Sequence, residues 1–170
     1  MQFSLIFIVI FTIFRAESDA WWIKKPCQYK VGASAYYFGT TNLSCMIRKV
    51  LKGKRSAPQR NNREFSHRFI YYQGKYFDFM DTSKVYISNS RFYGDRCSGG
   101  IENNPAGYST LSLSCIEGCA RNYRCKYGKY KLFRNNCHDF ANRMSQILCK
   151  NGSDCPTWCL GSCNDAEYNY

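Results

Sequence analysis

Residues 129–150, KYKLFRNNCHDFANRMSQILCK, predict a strand that leads directly into an amphipathic helix. The first five residues, 129–133, alternate in polarity as a strand does. Further on, apolar side chains recur at i, i+4, i+7 and i+8, the spacing of one helix face: Phe140, Met144, Ile147 and Leu148. Asn135 or Asn136 can cap this helix. Cys137 is therefore expected in its first turn.

This position favours a reactive thiolate at Cys137. The unpaired N–H groups and the dipole of a helix N-terminus stabilise a thiolate, and the same N–H groups can bind a developing oxyanion. A cysteine nucleophile also needs a base, normally histidine. Of the two histidines in the chain, His138 is adjacent to Cys137 and points about 100° away on a helix. His67 is therefore the better candidate.

His67 opens a predicted β-hairpin. Two aromatic-rich runs, 68–72 and 75–79, flank Gln73 and Gly74, the pattern of a hairpin with a two-residue turn. In that register positions 67 and 78 share one face, and Asp78 is a diagonal neighbour of His67. We therefore predict that Asp78 orients the imidazole, although a slip of one residue would reverse the faces.

The rest of the chain carries weaker patterns. Residues 84–87 predict another strand, and the four glycines and the proline in 91–109 predict a loop. Residues 46–51 fit either a strand or a short helix, and the polar, basic segment 53–62 predicts a loop. The resulting fold class is α+β, with a small antiparallel sheet packed on the helix that starts at Cys137.

The cysteine count predicts a disulfide-rich protein of an oxidising compartment. Eleven cysteines are an odd number, so at least one thiol stays unpaired within the chain. Cys137 is the natural choice for that thiol. The other ten are disulfide candidates, with a connectivity that spacing does not reveal: Cys27, Cys45, Cys97, Cys115, Cys119, Cys125, Cys149, Cys155, Cys159 and Cys163.

The N-terminus predicts secretion. Residues 3–14 are almost entirely apolar, and Ser18 and Ala20 occupy positions −3 and −1 of a cleavage site before Trp21. We therefore expect a signal peptide over 1–20, a folded domain over 21–150 and a cysteine-rich tail over 151–170. No apolar run reaches the ~18–20 residues of a membrane span. The sequons at Asn42 and Asn151 are glycosylation candidates in a secreted, extracellular protein.

The charge balance indicates an anionic partner. The chain has 24 Lys and Arg against 12 Asp and Glu, a net charge of +12. Bacterial walls and anionic membranes are the favoured surfaces for a secreted protein, and no nucleic-acid motif accompanies the basic residues. The spacing of Cys155, Cys159 and Cys163 also fits zinc ligands, but disulfides are favoured in an oxidising compartment. We expect neither a metal nor a cofactor.

Residues 130–142, YKLFRNNCHDFAN, resemble the cysteine motif of the PPPDE family, the desumoylating-isopeptidase-like thiol peptidases. Residues 66–72, SHRFIYY, and 76–79, YFDF, resemble that family's histidine strand and its return strand. The order of histidine before cysteine also occurs in the lecithin:retinol acyltransferase-like family. Both belong to the circularly permuted papain-like group that includes the NlpC/P60 enzymes.

The resemblance implies a permuted papain-like fold and a Cys137–His67 dyad. Cys137 would be the nucleophile, His67 the base and Asp78 the orienting group, with Tyr130 and Asn136 supporting the oxyanion. The implied activity is cleavage of an amide or ester in a peptide, isopeptide, peptidoglycan or lipid acyl group. In the acyltransferase-like pattern a second histidine lies on the return strand, near the position that Asp78 occupies here. Where that family has a membrane-anchoring tail, this sequence has the cysteine-rich tail. The alternative is a secreted, non-enzymatic binding protein or effector on the same scaffold.

Overall fold

A computed structural model describes residues 27–48, 66–94, 96–150 and 154–163. These ranges form a mixed α+β fold in which helices pack against an antiparallel sheet, which confirms the predicted fold class. The predicted signal peptide, the predicted loop 53–62 and Asn151 lie outside the described residues. Within them the elements follow in the order β1 (Ser34–Asn42), α1 (Leu43–Arg48), β2 (Ser66–Tyr72), β3 (Lys75–Phe79), β4 (Val85–Ser88), β5 (Gly99–Ile101), β6 (Gly107–Ser109), α2 (Leu113–Arg121), α3 (Tyr123–Tyr127), α4 (Cys137–Cys149) and α5 (Thr157–Leu160).

The sheet is antiparallel and has β1 and β2 at its centre. Its strand order is β4-β3-β2-β1-β5, and β6 pairs with the beginning of β1. Tyr71 pairs with Tyr76, which confirms the predicted hairpin register. Gln73 and Gly74 join these strands with φ values of 45° and 82°, the two positive values of a type I′ turn. This turn fixes which side chains of β2 and β3 share a face.

The core lies between the sheet and α4. Its sheet side is made of Tyr36, Phe38, Ile70, Tyr72, Phe77 and Phe79. The predicted apolar stripe of α4 faces these residues, and Phe140, Met144 and Leu148 are completely buried. Burial of one such side chain stabilises a fold by about 1.5–3 kcal/mol. The core therefore holds the first turn of α4 in a fixed position over the sheet.

Disulfides fasten the outer segments to this core. The structure pairs Cys27 with Cys149, Cys45 with Cys97, Cys115 with Cys155, Cys119 with Cys159, and Cys125 with Cys163. Three of these bonds attach residues 154–163 to α2 and α3, so this part of the predicted tail is tied to the domain. Cys137 is the free cysteine. In the described part of the chain, no helix is long and apolar enough to cross a membrane.

Two local predictions are wrong. Residues 129–133 form a turn rather than a strand, with one isolated bridge between Lys131 and Asn135. The alternating pattern is present, but no neighbouring strand pairs with it. The predicted loop 91–109 contains β5 and β6. Its glycines allow close strand approach, since a Cβ at Gly107 would lie 2.7 Å from the Tyr36 hydroxyl oxygen. For residues 46–51 the sequence left a strand or a short helix open. Residues 46–48 belong to the helix α1, and residues 49–51 lie outside the described residues.

Gly39 provides a test of the packing on the second face of the sheet. The ring of Phe69 lies over Gly39, and an added Cβ would be 2.1 Å from Phe69 Cζ and 2.8 Å from the Gly100 carbonyl oxygen. We expect Gly39→Ala to lower the free energy of unfolding by about 2 kcal/mol or more, measured by urea denaturation. Gly161→Ala is the control because its Cβ would meet nothing within 4 Å. Equal stability of the two variants would contradict this packing.

Candidate active site

The structure brings together the three residues predicted as catalytic. Cys137 begins α4, His67 is the second residue of β2, and Asp78 lies in β3. His67 Nε2 is 2.8 Å from Asp78 Oδ1, and the His67 ring also hydrogen-bonds to the Cys137 sulfur. Because Nε2 is used by Asp78, Nδ1 is the ring nitrogen available to the thiol. The exposed fractions are 4% for Cys137, 3% for His67 and 0% for Asp78.

The end of the β2–β3 ladder makes room for this contact. The paired positions of these strands end at Ile70 and Phe77, so the first turn of α4 meets His67 beyond the last pair. There the backbone N–H of Arg68 donates a hydrogen bond to the Cys137 sulfur. The Arg68 amide therefore donates to the reactive sulfur, where a longer β2–β3 ladder would have paired it with β3.

The pKa of His67 is raised and the pKa of Cys137 is lowered, as expected for two groups that form an ion pair. Burial alone would lower the pKa of His67, but hydrogen bonds to Asp78 and Cys137 and the charges of both outweigh it and raise the pKa to about 9. Burial alone would raise the pKa of the Cys137 thiol. The hydrogen bond and charge of His67, with the amides of Arg68 and His138, outweigh burial and lower it. Both shifts favour the thiolate–imidazolium form of the pair over the neutral form.

Asn136 is the cap of α4. Its Oδ1 accepts hydrogen bonds from the amides of His138, at 2.8 Å, and Asp139, at 3.1 Å. Asp139 Oδ2 accepts in return from the Asn136 amide at 3.1 Å, which completes a capping box. Asn136 Nδ2 donates to the Leu132 carbonyl at 2.7 Å. Asn136 thus supports the start of α4, and one of its two Nδ2 hydrogens is used by Leu132.

Two other hydrogen-bond donors lie next to the reactive sulfur. The Cys137 amide, at the first position of α4, has no hydrogen-bond partner among the described residues. The Tyr130 hydroxyl hydrogen-bonds to the Cys137 sulfur. Burial, followed by the negative charge of Cys137, raises the pKa of Tyr130 to about 12, so this hydroxyl keeps its proton. Its ring packs 5.4 Å from that of Phe79, which fixes its direction.

The side chain of Asn135 holds the segment that leads to Cys137 in place, a role that the sequence did not reveal. Its Nδ2 donates to the carbonyls of residues 127, 128 and 129 at 2.9–3.2 Å. Its Oδ1 accepts from Tyr123, at 2.9 Å, and from Arg143, at 2.7 Å. The Arg143 guanidinium also lies 4.4 Å above the centre of the Tyr127 ring. Asn135 and Arg143 are eight residues apart, a spacing that matches no known motif, so nothing in the sequence indicated their contact.

His138 has a structural contact and is not the base. Its Nε2 is 2.8 Å from the Ser66 carbonyl oxygen, so it joins the start of β2 to α4. Burial lowers the pKa of His138, and the charges of Arg68 and His67 add to that effect. The ring is therefore neutral at neutral pH and donates its Nε2 proton to Ser66.

The remaining predicted sites have other contacts. Asn42 is the last residue of β1, and its Oδ1 accepts from the Cys45 amide at 2.8 Å. Cys115, Cys119 and Cys155 have sulfurs within 4.8 Å of one another. Each of these sulfurs belongs to a disulfide, and a disulfide sulfur is not the thiolate that zinc requires. This cluster is therefore a pair of adjacent disulfides.

A search of protein-family models, curated proteins and solved structures finds no match to this chain. The chemistry of the site is therefore argued from its own residues. A buried cysteine whose pKa is lowered by a neighbouring histidine is an activated nucleophile with its proton carrier in place. A carboxylate holds the imidazole, and a helix N-terminus lies at the reacting atom. This arrangement suits attack on an acyl carbon.

The cap of α4 gives a second test. We expect Asn136→Ala to lower the free energy of unfolding by about 1 kcal/mol and to slow alkylation of Cys137, because the first turn of α4, which holds the His138 amide at the sulfur, loses its cap. Urea denaturation and alkylation at pH 6 measure the two effects. Asn142→Ala, an exposed change in the middle of α4, is the matched control. A cap variant that behaves like this control in both assays would refute the role of Asn136.

Proposed function

We propose that the protein is a secreted thiol hydrolase or acyltransferase of the permuted papain-like type. The observation that carries this proposal is the buried chain of hydrogen bonds from Asp78 through His67 to the free thiol of Cys137. The resemblance of 130–142 and 66–79 to the PPPDE and lecithin:retinol acyltransferase-like families supports the same reading. Five disulfides fit an oxidising, extracellular compartment.

In the proposed mechanism the Cys137 thiolate attacks the carbonyl carbon of an amide or ester. The carbonyl electron pair moves to oxygen, where the Cys137 amide and the Tyr130 hydroxyl donate hydrogen bonds. His67 gives its proton to the leaving amine or alcohol as the carbon–heteroatom bond breaks, which leaves a thioester on Cys137. Neutral His67 then removes a proton from water or an acceptor alcohol, which attacks the thioester and restores the thiolate.

The alternative of a binding protein predicts a different state of Cys137. On a scaffold that has lost its activity, this cysteine is free to become a disulfide partner. A free thiol that hydrogen-bonds to histidine favours the enzyme instead. The buried carboxylate of Asp78 at the His67 ring favours the enzyme in the same way.

An acyl-transfer assay on the unreduced protein tests this proposal. p-Nitrophenyl acetate and a long-chain p-nitrophenyl ester are the probes, followed by peptide anilides and peptidoglycan fragments. We expect a burst of nitrophenol and an acyl group on the Cys137 peptide by mass spectrometry, and neither in Cys137→Ser. Acylation no faster than that of the unfolded protein would overturn the proposal. Preferences within the panel then identify the substrate.

A further inference from the structure

Two consecutive apolar side chains stand in solvent just before the nucleophile. Phe133 is 91% exposed and Leu132 is 59% exposed, in the turn formed by residues 131–134. The sequence pattern predicts such residues in a strand, where one face would be buried. Adjoining exposed apolar residues with a polar rim are a feature of protein and membrane interaction sites.

Basic residues surround this apolar pair. Lys131 and Arg134 flank it directly, and Lys129 precedes them; all three are exposed. No acidic residue occurs between positions 126 and 134. An apolar tip with basic flanks matches the interface of an anionic bilayer, where the apolar side chains enter the acyl boundary and the cations meet the headgroups.

The turn is already ordered for such a contact. The amides of Arg134 and Asn135 donate to the Lys131 carbonyl at 3.1 and 3.0 Å. Asn136 Nδ2 holds the Leu132 carbonyl at 2.7 Å. Insertion therefore orders little additional chain, which lowers the entropic cost of binding. The same Asn136 caps the helix that begins at Cys137, so the turn and the nucleophile are fixed to each other.

We propose that residues 131–134 form a membrane-docking loop that inserts Leu132 and Phe133 into the surface of an anionic lipid bilayer. Lys131 and Arg134 remain at the headgroup level. This binding does not depend on the proposed hydrolysis. Where both hold, the loop brings Cys137 to the lipid surface.

Vesicle sedimentation of the full, oxidised protein tests the docking loop. We expect binding to phosphatidylcholine vesicles that contain phosphatidylserine, and much weaker binding to phosphatidylcholine alone. The double variant Leu132→Ser, Phe133→Ser should bind about tenfold more weakly or worse, since the burial of the Leu and Phe side chains together contributes at least that factor. Lys131→Gln with Arg134→Gln should lose about fivefold per residue. Cys137→Ser should bind like the wild type, which separates docking from catalysis.

Two controls match these variants. Val31→Ser removes a side chain that is 94% exposed and lies four residues from Cys27, which is bonded to Cys149 at the opposite end of α4. Lys75→Gln with Lys150→Gln makes the same change of net charge away from the loop, at the start of β3 and at the C-cap of α4. We expect the first to bind normally and the second to weaken binding less than the loop pair. Equal losses in loop and control variants, or no binding of the wild type, would overturn the proposal. A dimer in sedimentation velocity that the Leu132 and Phe133 changes dissociate, without lipid binding, would also overturn it.

Discussion

Iodoacetamide is expected to alkylate Cys137 of the intact, oxidised protein at pH 6 at least about tenfold faster than it alkylates a His67→Gln variant. An ordinary thiol with a pKa near 8.5 is less than about 1% ionised at that pH. Here the hydrogen bond and the charge of His67 lower the pKa of Cys137 against the opposing effect of burial. Glutamine keeps much of the volume of the ring and removes the charge.

The decisive measurement is the midpoint of the pH dependence of the alkylation rate of Cys137. Cys137 is only 4% exposed, so limited access slows alkylation at every pH and leaves the midpoint unchanged. We expect the midpoint to move to higher pH in His67→Gln. His138→Gln is the matched control, because His138 is neutral and reaches the sulfur through its backbone amide, which the variant retains. Equal midpoints in both variants would exclude an ion pair between Cys137 and His67.

The same pair makes stability depend on pH in a defined direction. The pKa of His67, about 9, lies above the 6.5 of an unfolded histidine. Its contribution to stability is therefore complete below pH 6.5 and is lost as the pH rises through about 9. The Cys137 pKa is lowered, so its contribution is present above the unfolded value and is lost as the pH falls through the folded one. The difference in unfolding free energy between wild type and His67→Gln should shrink above pH 9.

The parts of the site that lie within one local pattern were predictable. Turn chemistry at Gln73 and Gly74 sets the register of β2 with β3, and that register alone makes Asp78 a neighbour of His67. The apolar stripe of α4 and its cap place Cys137 at a helix start. Each of these inferences uses spacings of 3.6 or 2 residues and needs no distant partner.

The parts that depend on distant neighbours were not predictable. Residues 129–133 alternate like a strand, yet no described strand of the sheet pairs with them, and the side-chain Nδ2 of Asn135 donates to the carbonyls of residues 127–129 instead. Glycines in 99–107 indicate a loop until it is known that β1 approaches them closely. The five disulfides join residues 38 to 122 positions apart. Which of these cysteines lie close together cannot be deduced from their spacing in the sequence.

Asp78→Asn is expected to reduce acyl-transfer activity by about 10²- to 10⁴-fold, the range known for the loss of the carboxylate that orients a catalytic histidine. Asp78 is completely buried and holds His67 Nε2 at 2.8 Å. A carboxylate accepts the Nε2 proton and leaves Nδ1 to the thiol. An amide oriented as a donor would stabilise the opposite tautomer, in which Nδ1 carries the proton of a neutral ring and cannot accept the proton of Cys137.

The titration of His67 separates this role from a structural one. In the wild type the His67 ring proton followed by NMR should titrate near 9. In Asp78→Asn the hydrogen bond and charge of Asp78 are gone while the burial remains, so the pKa of His67 should fall well below 9. Asp154→Asn, which removes an exposed carboxylate next to the Cys115–Cys155 disulfide, should change neither the titration nor the activity. An Asp78→Asn protein that folds, loses activity and still titrates at 9 would show that Asp78 acts by shaping the core and not by holding the charged imidazole.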